Sequence, residues 1–218
     1  MIIAIIQARM GSTRLPGKVL MTVDGKPLLA YQIDRVLKSK KLDKLLVATS
    51  NLEKDNAIED FCLQYKVDCY RGSENDVMSR YYNCAKKYKP DTVVRLTADC
   101  PLIDPEIIDK VIQKFETDNV DYCANTVPPE TSRFPDGSDI EVFSMKALEQ
   151  AHSEIKDSHF REHVTFQFWQ DTSYTSSQFI QTKDWSNFRI TVDYPEDFEV
   201  ISFLLNKLKS KGIFGSLD

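Results

Sequence analysis

Three cations, Arg9, Arg14 and Lys18, sit close together in a segment punctuated by Gly11, Pro16 and Gly17. An apolar run, residues 2–6, precedes it directly. Such a run reads as a buried central strand. A strand that ends in a glycine-punctuated basic loop brings backbone N–H groups and positive side chains to the carboxyl edge of a sheet, where α/β proteins hold phosphates. An ordinary basic surface loop would have the same composition. Two carboxylates add to the pattern. Asp99 follows the apolar run 92–97 and precedes Pro101, and Asp193 follows the run 189–192 and precedes Pro195. Either could cap a turn or a helix. Either could also ligate Mg²⁺, a hard cation that is usually held by one or two carboxylates together with substrate phosphates and water. Placed on one sheet edge beside the basic loop, the pair would have the equipment for in-line phosphoryl or nucleotidyl transfer.

Two further segments carry groups that could bind a ligand. Arg71-Gly72-Ser73 follows a short apolar stretch and suits an anion or a nucleobase, with Asp76 placed to cap the next helix and Arg80 one turn further on. Arg161-Glu162-His163-Val164-Thr165 is preceded by Arg133 and by the acidic run 136–141. Arg133 and Arg161 are candidates for a substrate carboxylate or phosphate, because guanidinium recognises such anions bidentately. Arg161 beside Glu162 could equally form a structural pair, and a lone histidine such as His163 is more often structural than catalytic.

These residues need a scaffold, and the periodicity supplies one. Helical stripes are expected over 27–38 (Leu29, Ile33, Val36, Leu37), 55–65 (Ile58, Phe61, Cys62, Tyr65) and 77–88 (Val77, Tyr81, Cys84, Tyr88). Asp104 and Pro105 open a fourth helix as N-cap and first-turn proline. Strands are expected over 45–49, 67–70, 92–97 and 120–124. Repeated strand–helix units imply an α/β fold: a Rossmann-like, mostly parallel mixed sheet with helices on both faces. Right-handed crossovers would set the loops after the strands on one edge. Beyond residue 125 the pattern changes. Residues 126–188 read as a turn-rich, aromatic excursion, with a strand over 139–143 and a short helix over 145–151 capped by Ser144. The sheet is expected to resume with a strand over 189–193 and to close with a helix over 195–208. The whole chain, 1–218, is expected to be a single domain.

Composition excludes several classes. Of the 218 residues, 42% are hydrophobic, enough for a sizeable core, and the net charge of −5 gives no support for general nucleic-acid binding. The five cysteines form no CxxC pair, so neither a disulfide framework nor a zinc site is expected. Residues 2–6 are too short for a signal peptide and lack a basic leader, and no stretch reaches transmembrane length. A cytoplasmic location and no membrane contact are expected.

The segments, quoted as they stand, resemble the cytidylyltransferases that activate acidic sugars. Ala8-Arg9-Met10-Gly11-Ser12, followed by Pro16 and Lys18, is similar to the family's opening motif, and Gln7 and Arg14 look most like the branch named after a spore-coat polysaccharide biosynthesis protein. Asp99-Cys100-Pro101-Leu102-Ile103 resembles the central metal-binding loop, and Val192-Asp193-Tyr194-Pro195-Glu196-Asp197 resembles the C-terminal one. The resemblance implies CTP as donor, Mg²⁺ on Asp99 and Asp193, and Arg9 and Lys18 stabilising the departing pyrophosphate. It implies a nucleotide pocket built from Ala8, Arg9, Gly11, Ser12, Arg14, Lys18, Arg71, Ser73, Arg80 and Asp99. It also implies acceptor contacts from Arg133, Arg161 and His163, and a homodimer formed through residues 126–188. The relatives that load eight-carbon sugar acids carry Ser-Gly-Thr-x-Arg where this chain has Arg71-Gly72-Ser73. The acceptor therefore stays open among ulosonic acids, amino-sugar acids and smaller acidic or phosphorylated compounds. Other readings are transfer of a different nucleotide to a sugar phosphate and a nucleotide-binding domain without catalysis. A glycosyltransferase is disfavoured, because Asp99-Cys100-Pro101 lacks the Asp-x-Asp pair.

Overall fold

The computed structural model describes residues 1–213 and 215. Its main sheet has seven strands in the order β5-β4-β1-β6-β8-β7-β9. Four of them, β1 (Ile2–Gln7), β4 (Lys44–Ser50), β5 (Asp68–Gly72) and β6 (Thr92–Thr97), run parallel. β8 (Glu141–Ser144) lies antiparallel between β6 and β7 (Tyr122–Ala124), and β9 (Ser176–Gln178) pairs parallel with β7. β2 (Thr22–Val23) and β3 (Lys26–Pro27) form a separate small hairpin. The mostly parallel α/β sheet expected from the sequence is the fold observed.

Helices cover both faces. α1 (Leu28–Val36), α2 (Asn56–Tyr65) and α4 (Pro105–Asp118) press Ile33, Ile58, Cys62, Val111 and Ile112 against Ala4, Ile6 and Val94. α3 (Val77–Tyr88), α5 (Met145–Glu154) and α7 (Phe166–Gln170) bury Tyr81, Cys84, Leu148 and Phe168 against Ile3, Ile5 and Val93. α6 (Ser158–His163) packs beside α3. α8 (Pro195–Ser210) closes a third apolar cluster through Ile201 and Leu205, joined by Val23, Leu28 and Val192. The expected caps form: Asp104 accepts from Glu106 N at 2.9 Å, Asp76 from Ser79 N at 2.9 Å and Ser144 from Ala147 N at 3.0 Å.

The chain departs from the sequence reading in two places. Segment 126–188 is not an appendage, since it supplies β8 and β9 to the main sheet itself. Residues 189–193 do not form a strand of that sheet. Arg189 makes only an isolated bridge to Asp136, Ile190 N donates to Asp136 O at 2.7 Å, and Val192 N donates to Asp99 O at 2.9 Å. These donors are taken by loops, so the segment lies as a strap across the carboxyl edge. Gly137 permits this close approach. Its φ is 98°, and a Cβ there would stand 2.2 Å from Thr191 N.

Candidate active site

The strand order dictates where a ligand can bind. From β1 the chain steps outward through β4 to β5, then crosses back to place β6 on the other side of β1. The loops after β1 and β6 therefore diverge and leave a crevice at their carboxyl ends. A cleft of about 410 Å³ opens there. Gln7 and Thr97, partners in the β1–β6 register, form its floor. Arg9, Ser12, Arg14, Lys18, Asp99 and Asp193 line its walls.

Local bonding holds the basic loop open. Met10 N donates to the buried carboxylate of Asp55 at 2.7 Å, and that carboxylate also accepts from Ser50 Oγ. Ser12 N and Gly17 N both donate to Met10 O at 3.0 Å, and Leu15 N donates to Ser12 Oγ at 3.2 Å. Gly17, at φ 74°, then turns the chain into a single 3₁₀ turn that begins with Lys18. Ala8 is buried at the end of the strand, whereas Arg9 is exposed at the mouth of the cleft. Gly11 lies against the Lys54–Glu74 ion pair, where a side chain would collide with Lys54 Nζ.

Lys18 is the centre of the arrangement. Its ammonium donates to Val192 O at 2.6 Å, to Asp193 Oδ1 at 2.8 Å and to Asp99 Oδ2 at 3.3 Å. The two carboxylates singled out from the sequence thus converge on one cation, although only Asp99 follows a strand of the sheet. Arg14 adds an ion pair to Asp193 at 2.9 Å and lies over the Tyr194 ring. Arg189 reaches Asp193 Oδ2 at 3.2 Å and also holds Asp197 at 2.9 and 3.0 Å. Burial pushes the Asp193 carboxyl up, but the hydrogen bond and charge of Lys18, with help from Arg14 and Arg189, outweigh it and hold the group below its ordinary value. Asp197 is held lower still, chiefly by Arg189 and also by the backbone N–H groups of Asp193 and Tyr194, which it caps.

The other candidates are placed differently. Arg71 is a tie between β5 and the start of α2. It donates to Ser50 O at 3.0 Å, Leu52 O at 2.8 Å, Asn56 Oδ1 at 2.7 Å and Glu59 Oε2 at 2.7 Å, and it does not line the cleft. Ser73 Oγ accepts from Asp76 N at 3.0 Å within the same turn. Arg80 is buried and donates to Ser73 O at 2.6 Å, and desolvation lowers its pKa. Arg161 spends its guanidinium on Asp76 at 2.7 and 3.0 Å, His152 O at 3.2 Å and Ile155 O at 2.8 Å, which fastens α6 to the start of α3. Its expected alternative partner, Glu162, is not the one used. Arg133 is exposed and clips Thr182 O at 3.0 Å. His163 stacks on Phe166 at 4.4 Å, and burial, with the neighbouring His159 and Arg95, lowers its pKa. Sequence reasoning assigned no role to Thr97, Asp55 or Arg189. The first was legible as the last residue of a strand at the switch point; the others emerge only from the fold.

Residues 3–203 match the cytidylyltransferase family. The chain belongs to that family. It is similar to the spore coat polysaccharide biosynthesis protein SpsF of Bacillus subtilis, 34% identical over 94% of this chain and 87% of the relative. A solved cytidylyltransferase from Leptospira borgpetersenii superposes with a TM-score of 0.87 at 31% identity, covering 97% of this chain and 94% of that one. CMP:2-keto-3-deoxy-manno-octonic acid synthetase, solved with CTP, shares the fold with a TM-score of 0.70 at 19% identity over 94% of this chain and 98% of its own. The family is one of enzymes, and the cleft described above is the candidate site for its chemistry. Among the described residues no helix is long and apolar enough to cross a membrane.

Proposed function

We propose that this cytidylyltransferase transfers CMP from CTP to an acidic sugar or a related acceptor, releasing pyrophosphate, in the synthesis of a surface glycan precursor. The observation that carries the reading is the convergence of Lys18, Asp99 and Asp193 at the crevice between β1 and β6. An acceptor oxygen attacks the α-phosphorus of the triphosphate. One P–O bond forms, the bond to the β-phosphate bridging oxygen breaks, and the acceptor proton passes to solvent. Arg9 and Lys18 stabilise the charge that accumulates on the leaving pyrophosphate. Ala8, Gly11 and Ser12 supply the turn that brings backbone N–H groups to the nucleotide.

Mg²⁺ fits this site. Two carboxylates of the cleft already share one cation, the Lys18 ammonium, and they offer the hard oxygen donors that the ion prefers. Asp99 and Asp193 would hold it, and bound there it would neutralise triphosphate charge. The chain is proposed to act in the cytoplasm as one domain and as a homodimer built on segment 126–188, where Ile180 and Phe188 are exposed.

The test is pyrophosphate release from each of the four nucleoside triphosphates, with Mg²⁺, against a panel of acidic sugars. Turnover confined to CTP and dependent on an acid supports the reading, and turnover with a sugar phosphate and another triphosphate replaces it.

A further inference from the structure

A second polar cluster lies on the sheet face that carries α3 and α7. Arg95 in β6 is two residues before Thr97, so both side chains lie on one face, about 7 Å apart along the strand. In the register with β1, Arg95 faces Ile5 and Thr97 faces Gln7, which puts Arg95 directly behind the floor of the cleft. Its Nη1 donates to Glu141, the residue opposite it in β8. Glu141 is fully engaged, since its Oε1 also accepts from Tyr122 Oη at 2.7 Å and from Thr165 Oγ1 at 2.6 Å.

Arg95 is not fully engaged. Among the described residues its buried Nε has no hydrogen-bond partner, and Gln7 Oε1, on the same face, is in the same condition. A purely structural ion pair would gain nothing from an orphaned buried donor, which is costly to leave unmade. The Nε side of a guanidinium is the edge that receives a carboxylate or phosphate through two parallel bonds. The Arg95 side chain keeps 16% of its exposure, against 7% for Glu141, so the guanidinium is the more accessible member of the pair. Of the arginines named from the sequence, Arg161 has its donors consumed, and Arg133 is clipped to Thr182 O at the surface.

We infer that Arg95, held in place by Glu141, receives the anionic group of the acceptor and sets the enzyme's preference for acids. This rests on the acidic-acceptor reading above. Tyr122 and Thr165 act through Glu141 as positioning residues: they fix the carboxylate that fixes the guanidinium.

The experiment compares Arg95→Met/Glu141→Gln with the unmodified enzyme. The double substitution removes the guanidinium without leaving Glu141 as an unpaired buried charge, and the Gln side chain can still accept from Tyr122 and Thr165. Rates are measured with CTP and 3-deoxy-manno-octulosonate, N-acetylneuraminate and glucuronate, each as the acid and as its carboxamide. For the best acid, the variant should raise acceptor KM by on the order of 10- to 100-fold, the worth of a charge-assisted contact. The preference for acid over amide should collapse towards unity, CTP binding should stay within about twofold, and Arg95→Lys should recover part of the preference. An unchanged acid-to-amide ratio in a folded variant overturns the assignment and makes Arg95 structural. If the unmodified enzyme turns over no acid in the panel, the acidic-acceptor reading itself fails, and this inference falls with it.

Discussion

Replacing Asp99 and Asp193 separately by Asn should separate catalysis from stability. Asn preserves the shape and can still cap a turn, but it carries no charge. The two carboxylates are embedded unequally. Asp99 has a long contact to Lys18 at 3.3 Å, a weak one from Cys100 Sγ at 3.5 Å and a side chain 27% exposed, whereas Asp193 is 17% exposed and is contacted by Lys18 at 2.8 Å, Arg14 at 2.9 Å and Arg189 at 3.2 Å. Losing the short charge-assisted bond from Lys18 should cost Asp193→Asn about 1–2 kcal/mol. For a chain of this size that lowers Tm by roughly 3–6 °C. Asp99→Asn should change stability by less than about 0.5 kcal/mol, because its bond is long and partly solvated. Turnover should behave differently. Both variants should lose at least about 100-fold in kcat, since each removes one of the two carboxylates proposed to hold Mg²⁺ beside the triphosphate. The double variant should be scarcely slower than the worse single one, because the groups act as a unit. Differential scanning fluorimetry and pyrophosphate release, run on the same preparations, read the two quantities. Near-native turnover by Asp99→Asn, or losses that track Tm alone, would refute the reasoning.

Three further outcomes follow from the same contacts. Arg161→Met should lower Tm by several degrees, because it unfastens α6 from Asp76, while leaving acceptor KM within about twofold; a large rise in KM would restore Arg161 as a substrate ligand. Asp197→Ala should destabilise the enzyme at neutral pH by about 1–2 kcal/mol through loss of the cap on α8. Because the folded carboxyl titrates below its ordinary value of 3.8, its contribution is complete above that value and is lost as pH falls through the folded value, so urea midpoints of variant and parent should converge in acid; a pH-independent difference would show that the charge of Asp197 is irrelevant. Sedimentation of the active enzyme at micromolar concentration should give a dimer, and a monomer would remove the proposed role of segment 126–188 in assembly.

The parallel core was legible because its signals are local. Apolar runs without alternation marked β1, β4 and β6, and Asp76, Asp104 and Ser144 announced the helices they cap. The cleft was legible to the extent that its residues end strands, as Asp99 does. Asp193 was found for a partly mistaken reason. Its segment has a strand's composition, but the donors of Ile190 and Val192 go to Asp136 O and Asp99 O, and no sequence pattern reveals which carbonyl a loop will meet. The ties that Arg71 and Arg161 make were hidden on similar grounds. A guanidinium beside a turn can bind a ligand or tie loops together, and only the positions of Ser50 O, Leu52 O and Asp76 decide between them. Arg95 escaped notice because a single charge in an apolar strand shows no period. Its partner Glu141 lies far away in the chain, and β8 had to insert antiparallel beside β6 to bring them together.

The most direct test of the central claim is the identity of the product. After incubation with CTP, Mg²⁺ and an accepted sugar acid, phosphorus NMR and mass spectrometry should find one new phosphodiester, the acceptor joined to CMP, in equal amount to the pyrophosphate released. The same preparation of Asp99→Asn should yield neither. A product carrying another nucleotide, or pyrophosphate released without any conjugate, would contradict the account.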